Sequence, residues 1–238
     1  MTTSQRALIT GASSGIGRAT ALALADVGYD ILLVARDRTK LGSVAAEVET
    51  RGRNATLLSL DLSQVSTLQE TLKAWIGDDG LDVLVNNAGI GYTGRLSDMP
   101  LADWQQVMDI NLGSVFECTR AVLPTMRKAG SGTIVNIASV AAYNAFPDWG
   151  AYGVSKAALV SLSKAFAAEE RQHGIRVSVV SPGAVNTPIW DTETVDADFD
   201  KSKMMTAEMV AQAIANVILM PQAAVVEEIT LLPNAGTF

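Results

Sequence analysis

Cysteine and histidine are nearly missing from this chain of 238 residues: there is one of each, Cys118 and His173. A single cysteine excludes an internal disulfide. With one histidine beside it, the Cys and His sets that usually hold zinc cannot be assembled, so no metal site is expected. A Ser-His-Asp hydrolase would have to use His173, which stands in Arg171-Gln-His-Gly174, a pattern that reads as a helix end. An excess of positive charge is also lacking. The net charge is −7, which argues against nucleic acid as the main partner and leaves any anionic ligand to be held by local groups. No apolar run approaches the length of a membrane span, and Met1 to Gln5 is too polar to begin a signal peptide. The expectation is a cytoplasmic protein with neither nucleic acid nor membrane as partner.

What is present is an apolar chain, 48% hydrophobic and 18% charged, ample for a large core. Short apolar runs alternate with helical patterns. Strands are predicted at Arg6 to Thr10, Asp30 to Ala35, Ala55 to Leu60, Leu81 to Val85, Gly132 to Ile137, Ile175 to Val180 and Val225 to Leu231. Helices are predicted at Ile16 to Val27, Lys40 to Thr50, Ser66 to Ile76, Leu101 to Lys128 (two helices meeting near Asn111), Trp149 to His173 and Ala207 to Leu219. Such alternation predicts a doubly wound α/β fold around a parallel sheet of seven strands, and its continuously apolar strands fit a sheet covered on both faces. No linker or repeat divides residues 1–238, so one domain is expected. Thr187 to Met205 is acidic and irregular and carries Trp190, Phe199, Met204 and Met205. It reads as a lid, with a plain surface insertion as the alternative.

Thr10-Gly-Ala-Ser-Ser-Gly-Ile-Gly17 follows the first strand and opens the first helix. A glycine turn there brings backbone close to a phosphate and aims helix N–H groups at it. Tyr152 and Lys156 are four apart on a predicted helix and so share a face. Free tyrosine, with a pKa of about 10, is almost wholly protonated at neutral pH, and a cation beside it favours the phenolate. The pair is therefore a candidate proton donor and acceptor.

These features occur together with Asp61, Asn86-Asn-Ala-Gly89, Asn111, Ser139 and Pro182-Gly183 with Thr187, in this order from Thr10 to Thr187. In that combination the chain resembles the short-chain dehydrogenase/reductase family. The resemblance implies a Rossmann-like three-layer sandwich in which a single domain both binds the dinucleotide and carries the catalytic groups. It implies that Tyr152 passes a proton to or from the substrate oxygen and that Ser139 orients that oxygen. Lys156 would bind the nicotinamide ribose and lower the Tyr152 pKa, and Asn111 would hold a water linking Lys156 to solvent. Cofactor contacts are implied at Gly11, Ser13, Ser14, Gly15, Ile16, Gly17, Asp61, Leu62, Asn87, Ala88, Gly89, Tyr152, Lys156, Pro182, Gly183, Val185 and Thr187. A homo-oligomer, dimer or tetramer, is implied through the long helices, where Ala157, Ala158, Ser161 and Ala165 would allow close packing.

The end of the second strand reads Ala35-Arg36-Asp37-Arg38, without the acidic residue that NAD-preferring folds place there. A carboxylate would repel a 2′-phosphate, whereas Arg36 attracts it and offers two donors. The expectation is NADP(H), centred on Arg36 with Arg38 as a lesser candidate, the alternative being a solvated Arg36 with Asp37 taking the ribose hydroxyls; the expected substrate is a small carbonyl or alcohol. Phe146, Trp149, Trp190, Met204 and Met205, with Tyr143 and Asn144, are candidates for the substrate pocket. Two further readings stay open: a 3-oxoacyl-carrier-protein reductase, to which Arg127-Lys128 would be relevant, and a non-catalytic NADP(H)-binding sensor on the same fold.

Overall fold

Each strand sends alternate side chains into two helix layers, which is why the strand sequences are apolar at nearly every position. A computed structural model of the chain describes residues 4–197, 200–234 and 236. Its strands are β1 (Arg6–Thr10), β2 (Asp30–Ala35), β3 (Ala55–Ser59), β4 (Val83–Asn86), β5 (Gly132–Ile137), β6 (Ile175–Pro182) and β7 (Glu228–Leu231). The helices are α1 (Gly15–Asp26), α2 (Arg38–Glu49), α3 (Val65–Ile76), α4 (Leu101–Met108), α5 (Ser114–Ala129), α6 (Gly150–Glu170) and α7 (Ala207–Ile218). On one side Ala7 and Ile9 of β1 and Ile31 and Leu33 of β2 pack with α1, α2 and α7, through Leu24, Leu41 and Ile214. On the other, Leu8, Leu32 and Val34 pack with α3, α5 and α6, through Leu72, Val122 and Phe166. The sheet is parallel throughout, in the order β3-β2-β1-β4-β5-β6-β7. This is a Rossmann-like doubly wound sandwich. Its order reverses between β1 and β4, and a crevice opens at the carboxyl ends of the strands there.

Most element ends fall within a few residues of the sequence reading, and two differences have a clear physical cause. The predicted junction of two helices near Asn111 is a π-helical turn, Asp109–Gly113, through which α4 runs on into α5. One extra residue per turn widens the helix locally and turns the fully buried Asn111 inward. The last strand begins at Glu228 rather than Val225. The segment before it wraps the Arg176 guanidinium, which donates to the carbonyls of Ile218, Met220 and Ala224. Among the described residues no helix is long and apolar enough to cross a membrane.

Inside the sheet, Asn86 of β4 lies opposite Asn136 of β5. Asn86 Nδ2 donates to Asn136 Oδ1 at 2.9 Å, and Asn136 Nδ2 donates to Ser163 Oγ of α6 at 2.8 Å. At the rim, Arg127 of α5 grips Glu170 of α6 with two donors, Nε at 2.7 Å from Oε2 and Nη2 on Oε1. The Glu170 side chain is only 1% exposed, whereas that of Arg127 is half-exposed. The guanidinium holds the Glu170 carboxyl below the usual carboxylate range, chiefly through its hydrogen bonds. Removing Arg127 strands a covered carboxylate. Arg127→Ala should therefore cost about 2 kcal/mol, less than a fully buried pair because water reaches the guanidinium. In a thermal melt at neutral pH that is a fall in Tm of about 4–8 °C for a chain of this size. Because the folded pKa is depressed, the stabilisation is present above the unfolded value and lost as pH falls toward the folded one. The Tm difference should shrink below about pH 4.

Candidate active site

At the reversal point lies a cleft of about 780 Å³. One end is built by the turn after β1. Gly11 has φ +66°, and a Cβ there would stand 2.9 Å from Ala88 Cα. A Cβ on Gly17 would stand 2.3 Å from Gly11 O and 2.6 Å from Asn87 Nδ2. Bare backbone is thus required at both points. Thr10 Oγ1 accepts from the N–H groups of Asn87 and Ala88, both at 3.0 Å, and stitches this turn to the exit of β4. The backbone-lined cradle opening onto the start of α1 fits a dinucleotide pyrophosphate.

Beyond the cradle, Arg36 leaves the end of β2 and Lys40 follows in the first turn of α2. Both border the cleft. Among the described residues Arg36 has no carboxylate within salt-bridge distance, while Lys40 Nζ lies 3.7 Å from Asp37. Asp61 also borders this end. Its carboxyl is held below the usual range mainly by the Ser63 backbone N–H, with a smaller pull from Arg36. Arg38 does not border the cleft; the second cation there is Lys40, a residue the sequence reading missed.

At the opposite end Ser139, at the exit of β5, and Tyr152 and Lys156 on α6 share one wall. Lys156 is buried; its Nζ donates to Ile137 O at 2.8 Å and lies 5.7 Å from the centre of the Tyr152 ring. Burial pushes the Lys156 ammonium down to about 8. Burial also raises the Tyr152 phenol above its usual value, with the nearby Ser139 hydroxyl pulling the other way. The expected lowering of the Tyr152 pKa by Lys156 does not emerge: desolvation raises it, and the group that pulls it down is the Ser139 hydroxyl.

Gly11, Ser13, Ser14, Gly15, Ile16, Arg36, Asp61, Leu62, Asn87, Ala88, Gly89, Pro182, Gly183, Val185 and Thr187 all border the cleft. Gly17 and Asn111 do not. Gly17 packs behind the cradle. The Asn111 amide is used inside the protein, accepting from Ile90 N at 2.8 Å and donating to Ile90 O and Ser155 Oγ, both at 3.0 Å. Asn86 is likewise a core residue, whereas Asn87 faces the cleft. Of the substrate-pocket candidates, Phe146, Trp149 and Trp190 border the cleft and Tyr143, Asn144, Met204 and Met205 do not. Met205 is buried against the core and pairs with Val185 in a short parallel bridge, so the base of the 187–205 segment is pinned to the end of β6. Phe199 lies outside the described residues. Cys118 is buried, and its thiol is pushed up to about 12 by burial, which leaves it inert.

Comparison with known proteins agrees with this geometry. Residues 5–198 match the model of the short chain dehydrogenase family. A 3-oxoacyl-[acyl-carrier-protein] reductase of Synechocystis is 39% identical over 198 residues, covering 82% of this chain and 79% of the relative. The crystal structure of a metagenomic short-chain oxidoreductase in complex with NADP is 33% identical, with a TM-score of 0.84 over 97% of both chains. Carveol dehydrogenase from Mycobacterium avium, in complex with NAD, is 25% identical with a TM-score of 0.87, over 98% of this chain and 97% of that one. The chain belongs to the short-chain dehydrogenase/reductase family of oxidoreductases.

Proposed function

We propose that the protein is an NADP(H)-dependent oxidoreductase that interconverts a carbonyl and an alcohol within one catalytic domain. One observation carries the reading: a single cleft has a glycine cradle with Arg36 and Lys40 at one end and Ser139, Tyr152 and Lys156 on a shared wall at the other. The cradle would hold the pyrophosphate, Arg36 the 2′-phosphate, and Asp61 and Leu62 the adenine side. Bound NADP(H) supplies hydride transfer; the chain supplies orientation and the proton. Ser139 orients the substrate oxygen by hydrogen bonding. With its raised pKa, Tyr152 stays a phenol at neutral pH, the form that donates a proton to a developing alkoxide. Lys156 keeps most of its charge at pH 7, binds the ribose hydroxyls and stabilises negative charge as the phenol gives up its proton. The Asn111 side chain, engaged with Ile90 and Ser155, fixes the π turn, and in this reading Asn111 remains the residue that would hold a water linking Lys156 to solvent.

The 39% identity to a 3-oxoacyl-carrier-protein reductase supports a second substrate reading, a 3-oxoacyl thioester. On α6 the residues Val154, Ala157, Ser161 and Ala165 form an exposed stripe, and self-association through α5 and α6 is part of the proposal. The test is loss of NADPH absorbance with a panel of ketones and aldehydes. Tight NADPH binding without turnover of any of them would replace the enzyme reading with a sensor.

A further inference from the structure

The wall next to Tyr152 is aromatic and uncharged. The Trp149 ring stands edge-on to the Tyr152 ring, 5.4 Å between centres at 73°, and edge-on to Trp190, 5.7 Å at 68°. Phe146 and Ile189 complete this end, with Thr192 at the rim. The wall is held in place from behind. Trp190 Nε1 donates to Val185 O at 2.7 Å. Gly91 is packed so closely that a Cβ there would stand 2.7 Å from Val195 Cγ2 and 3.4 Å from Trp149 Cζ3. The segment is fastened to the loop after β4 by Thr93 N to Thr194 O at 2.9 Å and Thr194 Oγ1 to Gly91 O at 2.7 Å. These rings are therefore preorganised rather than adaptable.

Charge is distributed unevenly along the cleft. Of the described lining residues, those with charge are Arg36, Asp37, Lys40 and Asp61 at the far end, and Lys156 beside Tyr152. Nothing beyond Lys156 offers a cation to a substrate anion. Among the described residues of the Thr187 to Met205 segment over this end, four are acidic against two lysines. Both lysines are already paired, Lys201 with Asp191 and Lys203 with Asp200. An anionic substrate would lose its hydration against an apolar wall, find no counter-charge and cross a negative rim. The same rim repels an acidic carrier protein; of the two cations considered for such a partner, Arg127 is committed to Glu170, and Lys128 stands exposed at the end of α5 that leads into the start of β5, opposite the edge of the sheet where the cleft opens.

We infer that, within the oxidoreductase reading above, the substrate is an uncharged ketone with a flat ring beside the carbonyl, an aryl ketone, rather than a keto acid or a carrier-bound thioester. A rigid aromatic slot favours a flat ring, which has little rotamer freedom to lose, over a flexible acyl chain.

The test uses a matched pair, methyl 4-acetylbenzoate and 4-acetylbenzoate, which differ in one charge. Both are titrated into NADP⁺-loaded protein by calorimetry and then assayed with NADPH. The ester should bind, and its kcat/KM should exceed that of the acid by at least about 30-fold, since the carboxylate meets no partner. Acetoacetyl-loaded carrier protein should also be the poorer substrate. Thr192→Lys, which places a cation at the rim, should narrow the ester-to-acid ratio severalfold. Binding of the ester without turnover would sink the oxidoreductase reading and leave the pocket assignment standing. Equal binding or turnover of the acid, preference for the carrier thioester, an unmoved ratio in Thr192→Lys, or no binding of the ester would each overturn the assignment.

Discussion

Tyr152→Phe should lower kcat for carbonyl reduction by about 10³-fold, about 4 kcal/mol of transition-state stabilisation. NADPH affinity should stay within about twofold, because the change removes one hydroxyl and leaves the ring that Trp149 packs against. The argument rests on which group near the substrate oxygen has a proton to give. The one histidine, His173, lies at the far end of α6, in the short helical turn that closes on Gly174. Ser139 is a hydroxyl without a base of its own, and Lys156 is turned to the Ile137 carbonyl. The phenol is the donor that remains. The pH dependence carries a definite sign. Lys156 titrates at about 8, so raising the pH through that value removes the charge that steadies the departing proton. Reduction should be level near neutrality and fall as pH rises above about 8. A Phe variant with a tenth or more of wild-type kcat, or a reduction rate that climbs across that range, would remove Tyr152 from the proton step.

Arg36→Ala should cut kcat/KM for NADPH by about 30-fold while changing that for NADH by less than about twofold, a loss of about 2 kcal/mol confined to the phosphorylated cofactor. Lys40→Ala should have a smaller effect, about fivefold, because the lysine is a point charge already shared with Asp37. The global field makes the local cations matter more, since a net charge of −7 works against the approach of an anionic dinucleotide. Steady-state kinetics with both cofactors decides the matter, and a wild-type enzyme that prefers NADH at limiting cofactor would overturn the assignment.

Where the sequence could be read, the signal was local. The starts and ends of β1, β2 and β5 coincide with the predicted runs, because a parallel strand buried on both faces is apolar from end to end. The Gly11 to Gly17 turn was legible because glycine marks backbone that approaches other backbone. Features made by distant segments were not legible. Met204 and Met205 looked like pocket residues, yet the Val185–Met205 bridge draws them toward the interior, a pairing across twenty positions that no periodicity announces. Asn111 read as a junction because a π turn leaves no trace in composition. The Tyr152 pKa went the other way because spacing reveals the cation but not the depth of burial around it. Lys40 was missed because it was read only as the start of the second helix, whereas that helix begins at Arg38 and brings Lys40 in its first turn to the cleft beside Arg36.

The paired amides at the centre of the sheet act as a proofreader of assembly. Where both faces of a strand are apolar, a slip exchanges one branched side chain for another, so the hydrophobic pattern alone specifies register weakly. Asn86 and Asn136 add a specific pairing. Slipping β4 against β5 by one position would break the bond between them and leave the buried Asn136 Oδ1 without its donor, costing about 1–3 kcal/mol. The strand ends inherit this accuracy. The turn with Asn87 to Gly89 leaves one of the two strands, and Ser139 follows the other. Their heights above the sheet, and so the reach from the phosphate cradle to the substrate oxygen, are fixed by a hydrogen bond within the sheet itself.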